Sequence, residues 1–154
     1  MPVVEQVRGD LFSADLPALA HGCNCSGTMA GPVAKEFRRR WPAMYRLYRA
    51  RCREGRFLPG DVLAWPGPPR VYNLAVQLRP GRPATLAAVE IAVARMLEMA
   101  EAAEVPAVGM PRIGCDPGGL RWPEVEVVID QLSWTSPVQL VVFEPGPATP
   151  PAAG

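Results

Sequence analysis

The stretch Ala18-Leu19-Ala20-His21-Gly22-Cys23-Asn24-Cys25-Ser26-Gly27-Thr28-Met29-Ala30-Gly31-Pro32 decides the reading of this chain. From Ala18 to Cys23 it is a short, nearly continuous apolar run. That pattern suits a strand buried on both faces, as in a parallel sheet under helices. The small residues from Gly27 to Gly31 then break the chain into a loop. Pro32 stands where a helix starts, a position at which its missing N–H is harmless.

Working outward, Val3 to Arg8 mixes β-branched and polar residues and ends at Gly9-Asp10, a strand followed by a turn. Val33, Phe37 and Trp41 recur every fourth residue, which predicts a helix over Pro32 to Trp41 with one apolar stripe. Pro42 restarts it, and Met44, Leu47, Tyr48 and Cys52 carry the spacing on to Gly55. Asp61 to Trp65 and Arg70 to Ala75 read as two short strands around the Pro66-Gly67-Pro68-Pro69 turn. Pro83 to Glu104 is the longest predicted helix. Ala107 to Met110 reads as a strand, Trp122 to Leu132 as a helix and Val138 to Phe143 as a final strand. The expected class is α/β, a three-layer α-β-α sandwich around a mixed, mostly parallel sheet.

With 154 residues, 49% hydrophobic and 20% charged, the chain can bury one real core, expected over residues 1–143. A Pro/Ala-rich tail over 144–154, from Pro145 onward without any large apolar anchor, is expected to lie outside it. A net charge of only +1 argues against bulk electrostatic binding to nucleic acid or membrane. No stretch approaches the ~18 apolar residues of a transmembrane helix. Met1-Pro2-Val3-Val4-Glu5 lacks the features of a secretory signal, and four cysteines are too few for a disulfide scaffold. The expectation is reduced thiols in a cytoplasmic protein.

A second loop, Met110-Pro111-Arg112-Ile113-Gly114-Cys115-Asp116-Pro117-Gly118-Gly119-Leu120, also runs from a predicted strand into a helix. Ligands in such folds sit beyond the carboxyl ends of strands. Glycines let the backbone approach a ligand, and amides at a helix start favour anions. Two such loops at one sheet edge suit a diphosphate. Neither loop is a P-loop, and no G-x-G-x-x-G follows the first strand.

Other constellations are weaker. His21, Cys23 and Cys25 alternate along a strand, with Cys115 as a fourth potential metal ligand, but the spacing is too tight for a buried strand to wrap an ion, so no metal is expected. His21 and Cys23, two apart in a strand, have poor geometry for a nucleophilic pair, and a buried, hydrogen-bonded His21 is expected instead. From Lys35 to Arg56 nine basic residues face only Glu36 and Glu54. That local excess offers a surface to nucleic acid or another polyanion, but without interleaved aromatics for stacking the run reads first as the solvated face of amphipathic helices.

Gly9-Asp10-Leu11-Phe12, then Ala20-His21-Gly22-Cys23-Asn24-Cys25 with its glycine loop, then Met110-Pro111-Arg112-Ile113-Gly114-Cys115 and Gly118-Gly119-Leu120-x-Trp122 resemble the macrodomain family. The likeness spans residues 3–143 and is nearest the branch with the terminal ADP-ribose glycohydrolase and the antitoxin that removes ADP-ribose from DNA. It implies ADP-ribose, or a macromolecule carrying it, as partner, with nucleic acid entering only as modified substrate. No cofactor, membrane or second subunit is implied.

By that resemblance Asp10 accepts from the adenine amino group, Leu11 adds a backbone contact, and Phe143 packs on adenine. Asn24 holds the distal ribose. Gly27, Thr28, Met29 and Gly31, with Ile113, Gly114, Cys115, Asp116, Gly118, Gly119 and Leu120, take the phosphates. Hydrolases close to this branch use a lysine nucleophile where this chain has Val76 or Gln77, and an aspartate where it has Gly118. Lys35 is the only lysine in the chain. The expected chemistry is therefore hydrolysis of an ADP-ribosyl group without a lysine adduct, with Asn24 and Asp116 as catalytic candidates. A non-catalytic ADP-ribose reader and an ADP-ribose 1″-phosphate phosphatase are the alternatives.

Overall fold

A computed structural model describes residues 4–144. Six strands form one sheet: β1 (Glu5–Arg8), β2 (Ala18–Asn24), β3 (Val62–Trp65), β4 (Arg70–Gln77), β5 (Ala107–Met110) and β6 (Gln139–Glu144). Their order is β1-β6-β5-β2-β4-β3. Every neighbouring pair is parallel except β3 with β4, which forms the antiparallel edge hairpin around the proline-rich turn. The mixed, mostly parallel sheet expected from the sequence is the one found.

The helices are α1 (Pro32–Arg40), α2 (Pro42–Arg53), α3 (Leu86–Ala102) and α4 (Trp122–Ser133). Alternation along the strands divides the core. Ala18 and Ala20 of β2 and Tyr72, Leu74 and Val76 of β4 pack with α3 and α4. Leu19 and Cys23, with Val71 and Ala75, pack with Phe37 of α1 and Met44 and Tyr48 of α2. Helices thus cover both faces, which is why β2 and β4 read as apolar runs rather than alternating patterns.

Several boundaries differ from expectation by a few residues at most, and three differences have a visible cause or consequence. Pro83, Ala84 and Thr85 precede α3, because the Thr85 side chain accepts from the Ala88 amide and so caps the helix. A short 3-10 turn at Leu11–Ser13 has no periodic signal and was not expected; Asp10 caps it. Glu144, assigned to the tail from sequence, ends β6 and pairs with Arg8 and Arg112. The rest of the expected tail lies outside the described residues. Among those described, no helix is long and apolar enough to cross a membrane.

Candidate functional site

Because β1, β6, β5, β2 and β4 are parallel, their carboxyl ends share one rim of the sheet, and the loops after β1, β2, β4 and β5 open there. Between β2 and β5 the chain switches direction, since β2 leads into α1 and β5 into α4, on opposite faces. Such a switch point opens a crevice. A cavity of about 370 Å³ lies there, within the usual range for small-molecule sites.

One wall is the first loop with the start of α1, from Asn24 and Thr28 to Ala34; the other is the second loop, from Pro111 to Gly118. The walls meet closely. A Cβ on Gly31 would stand 3.6 Å from Pro117 Cδ, and one on Gly22 would stand 3.7 Å from the Gly114 amide nitrogen. Val76, Gln77, Pro80 and Gly81 close the side next to β4.

The backbone of these walls is the distinctive feature. Amides of Cys115, Gly119 and Leu120 close turns inside the second loop. Those of Ile113, Gly114, Asp116 and Gly118 donate to nothing among the described residues, nor do those of Met29, Ala30, Gly31, Val33 and Ala34. Residues carrying unpaired donors therefore face one another across the gap, at the positive end of α1.

Asn24 holds the first wall in shape. Its Nδ2 donates to Thr28 O and Oγ1, both at 2.9 Å. Its Oδ1 accepts from the Ser26 amide at 3.1 Å and from the Tyr48 hydroxyl at 2.7 Å. A shift in register between Cys23 and Asn24 turns the chain out of the sheet at this point.

His21 lies at the inner end of the cavity, buried and stacked on Phe37 with ring centroids 3.9 Å apart. Asn73 Nδ2 donates to Leu63 O, so Asn73 Oδ1, 2.7 Å from His21 Nε2, accepts the ring proton. Burial depresses the His21 pKa to about 4, against the opposing effect of the Asn73 bond, and the ring is neutral at pH 7. Cys23 Sγ does reach the ring, at 3.5 Å from Nε2, contrary to the poor geometry expected for residues two apart. Residues two apart share one face of the strand, which brings these two side chains together. Burial pushes the Cys23 thiol up and the Cys25 thiol to about 12, so neither is a ready nucleophile. Cys115 packs on the opposite side of the sheet from Cys23 and Cys25. Among the described residues no group of three His, Cys, Asp or Glu is placed to hold a metal.

Of the residues singled out from sequence, Asn24, Thr28, Met29, Gly31, Ile113, Gly114, Asp116 and Gly118 line the cavity. Gly27, Cys115, Gly119 and Leu120 do not; Gly27 backs onto α2 and the others shape the second loop. Asp10 and Leu11, directly after β1, and Phe143, near the end of β6, stand toward the same rim, outside the cavity. The Asp10 carboxylate accepts from the Phe12 amide and from Ser13 Oγ, both at 3.0 Å. Leu11 is buried, and Phe143 packs edge-on toward Gly109. Sequence reasoning missed Arg112, Pro117, Pro80 and Gly81 as cavity walls and Tyr48 as the brace of Asn24. The Pro80-Gly81 turn directly after β4 was the available signal.

The Macro domain family model matches residues 20–129, a span that includes both loops. The chain belongs to the Macro domain family. Among solved structures, the macrodomain of Thermus aquaticus DarG superimposes with a TM-score of 0.84 at 28% identity, covering 93% of this chain and 99% of that one. A DNA ADP-ribosyl glycohydrolase of Mycobacterium tuberculosis is 28% identical over 143 residues, 89% of this chain and 41% of the relative. An ADP-ribose 1″-phosphate phosphatase of Aspergillus oryzae is 40% identical over 73 residues, 47% of this chain and 36% of the relative. The chain thus spans well under half the length of either curated relative.

Proposed function

We propose that this macrodomain binds ADP-ribose with the diphosphate between the two loops, and hydrolyses ADP-ribosyl groups from DNA without a lysine nucleophile. The observation that carries the reading is the pair of facing walls, each with several amides that find no partner among the described residues. Backbone donors and the start of α1 suit an anion without demanding a basic side chain. The likeness to DNA ADP-ribosyl glycohydrolases over 89% of this chain favours DNA as carrier.

Val76 and Gln77 stand at the cavity where the resemblance places a lysine, and Lys35 lies exposed on α1 outside it. The chemistry is then direct. The bond from the anomeric carbon to the carrier loosens into an oxocarbenium-like state; a water oxygen bonds that carbon as the bond breaks. The carrier leaves with the bonding electron pair and takes up a proton from solvent, which the proton released by the water replaces. Asp116, or a phosphate oxygen of the substrate, accepts the proton lost by the water. Asn24 sets the shape of the wall that positions the ribose.

The test is incubation with an ADP-ribosylated oligonucleotide in the presence of borohydride. The expected result is free ADP-ribose, the unmodified oligonucleotide and no protein adduct. Binding without release would leave only a reader. Phosphate release from ADP-ribose 1″-phosphate, without glycosidic cleavage, would support the phosphatase reading favoured by the local 40% match.

A further inference from the structure

We propose that the arginine-rich outer face of α1 and α2 is a track for the phosphodiester backbone of the nucleic-acid strand that carries the ADP-ribosyl group, a proposal that rests on the reading of the cavity above. Nine basic residues between Lys35 and Arg56 accompany only Glu36 and Glu54, yet the whole chain carries +1, so the remainder is net acidic. Glu36 pairs with Arg39 and Arg40, and Glu54 with Arg56. Lys35, Arg38, Arg46, Arg49, Arg51 and Arg53 make no ion pair among the described residues.

Three of these cations form a row. Arg46, Arg49 and Arg53 are exposed at i, i+3 and i+7 of α2, turned away from the buried Met44 and Tyr48. The row rises ~10 Å along the helix. It also reaches the cavity loop. Arg49 Cγ lies 3.4 Å from where a Gly27 Cβ would stand, the Tyr45 hydroxyl donates to Gly27 O at 3.1 Å, and the Arg38 guanidinium lies 4.2 Å over the Tyr45 ring. Gly27 immediately precedes Thr28, the next cavity-lining residue.

Guanidinium forks match phosphate oxygens. A protein partner is disfavoured, because protein interfaces centre on several buried apolar anchors and Leu47 is the one large apolar side chain exposed on α1 and α2. Phe37, Tyr45 and Tyr48 face inward, so the track contacts backbone rather than stacking bases. It therefore holds the strand without reading its sequence.

The test is fluorescence anisotropy of the full chain with an unmodified, labelled single-stranded DNA across a salt series. Wild type binds with affinity that falls as salt rises. Arg46→Glu/Arg53→Glu lowers affinity at least tenfold at low salt and flattens the log–log slope by about 1.4, at about 0.7 per lost phosphate contact. Arg46→Lys/Arg53→Lys retains the slope, and Arg121→Glu, exposed at the start of α4, changes neither quantity. ADP-ribose titrations of all variants match wild type, which separates a lost track from a lost fold. Salt-insensitive wild-type binding, an unaffected double reversal, or tighter binding to polyglutamate than to DNA overturns the proposal. DNA binding along the track with no ADP-ribose binding by wild type overturns the cavity reading instead, and with it the strand's standing as substrate.

Discussion

Asn24 and His21 show how single side chains set up the site. Asn24 bonds Ser26, Thr28 and Tyr48, so its first effect is on the shape of a wall. Asn24→Ala is expected to cost about 1–3 kcal/mol of stability from the partners left unpaired. It should also reduce ADP-ribosyl release at least tenfold, read by denaturant melts and the release assay. His21 has a depressed folded-state pKa of about 4, against 6.5 when free. Between those values the unfolded chain binds the extra proton, so this contribution is complete above pH 6.5 and is lost as pH falls toward 4. Unfolding free energies from urea melts should fall over that window, by about 3 kcal/mol in total from this group. His21→Gln should remove that part of the slope. Of these roles, burial of His21 was legible, because an apolar strand leaves its only histidine nowhere else to go. Asn24's bond to Tyr48 was not, since it joins residues 24 apart in sequence.

At the scale of elements, the two glycine loops were legible because each follows an apolar strand and precedes a proline- or tryptophan-led helix. Their interior economy was not. Gly118 holds the place where the resemblance leads one to expect an aspartate, and a Cβ there would meet the Gly114 carbonyl oxygen at 2.3 Å and Ala84 Cβ at 2.9 Å. The turn that brings these backbones together leaves no room for a side chain. Gly118→Asp should therefore weaken ADP-ribose binding rather than install a carboxylate, with turnover falling; a gain in turnover would show that the loop opens freely. On the other face, Phe37 is buried between His21, Phe12 and Trp41. Phe37→Ala should cost about 3–5 kcal/mol in chemical denaturation. The 3-10 turn after β1 and the late start of α3 escaped the sequence because both depend on caps, at Asp10 and Thr85, rather than on periodicity.

For the whole molecule, the account reduces to strand order. Parallel pairing delivers the loops after β1, β2, β4 and β5 to one rim, and the switch between β2 and β5 places two of them face to face. The claim that a diphosphate sits between them has a direct probe at Gly31. Its φ of −69° suits any residue, and the space toward Pro117 accepts a Cβ at ordinary contact distance but leaves little beyond it. Gly31→Val thus fills the gap at little cost to the backbone. Calorimetric titration with ADP-ribose is the decisive measurement: the account predicts one saturable site in wild type and at least tenfold weaker binding in Gly31→Val at unchanged melting temperature. Absence of saturable binding in wild type, or equal affinity in the two proteins, would contradict it.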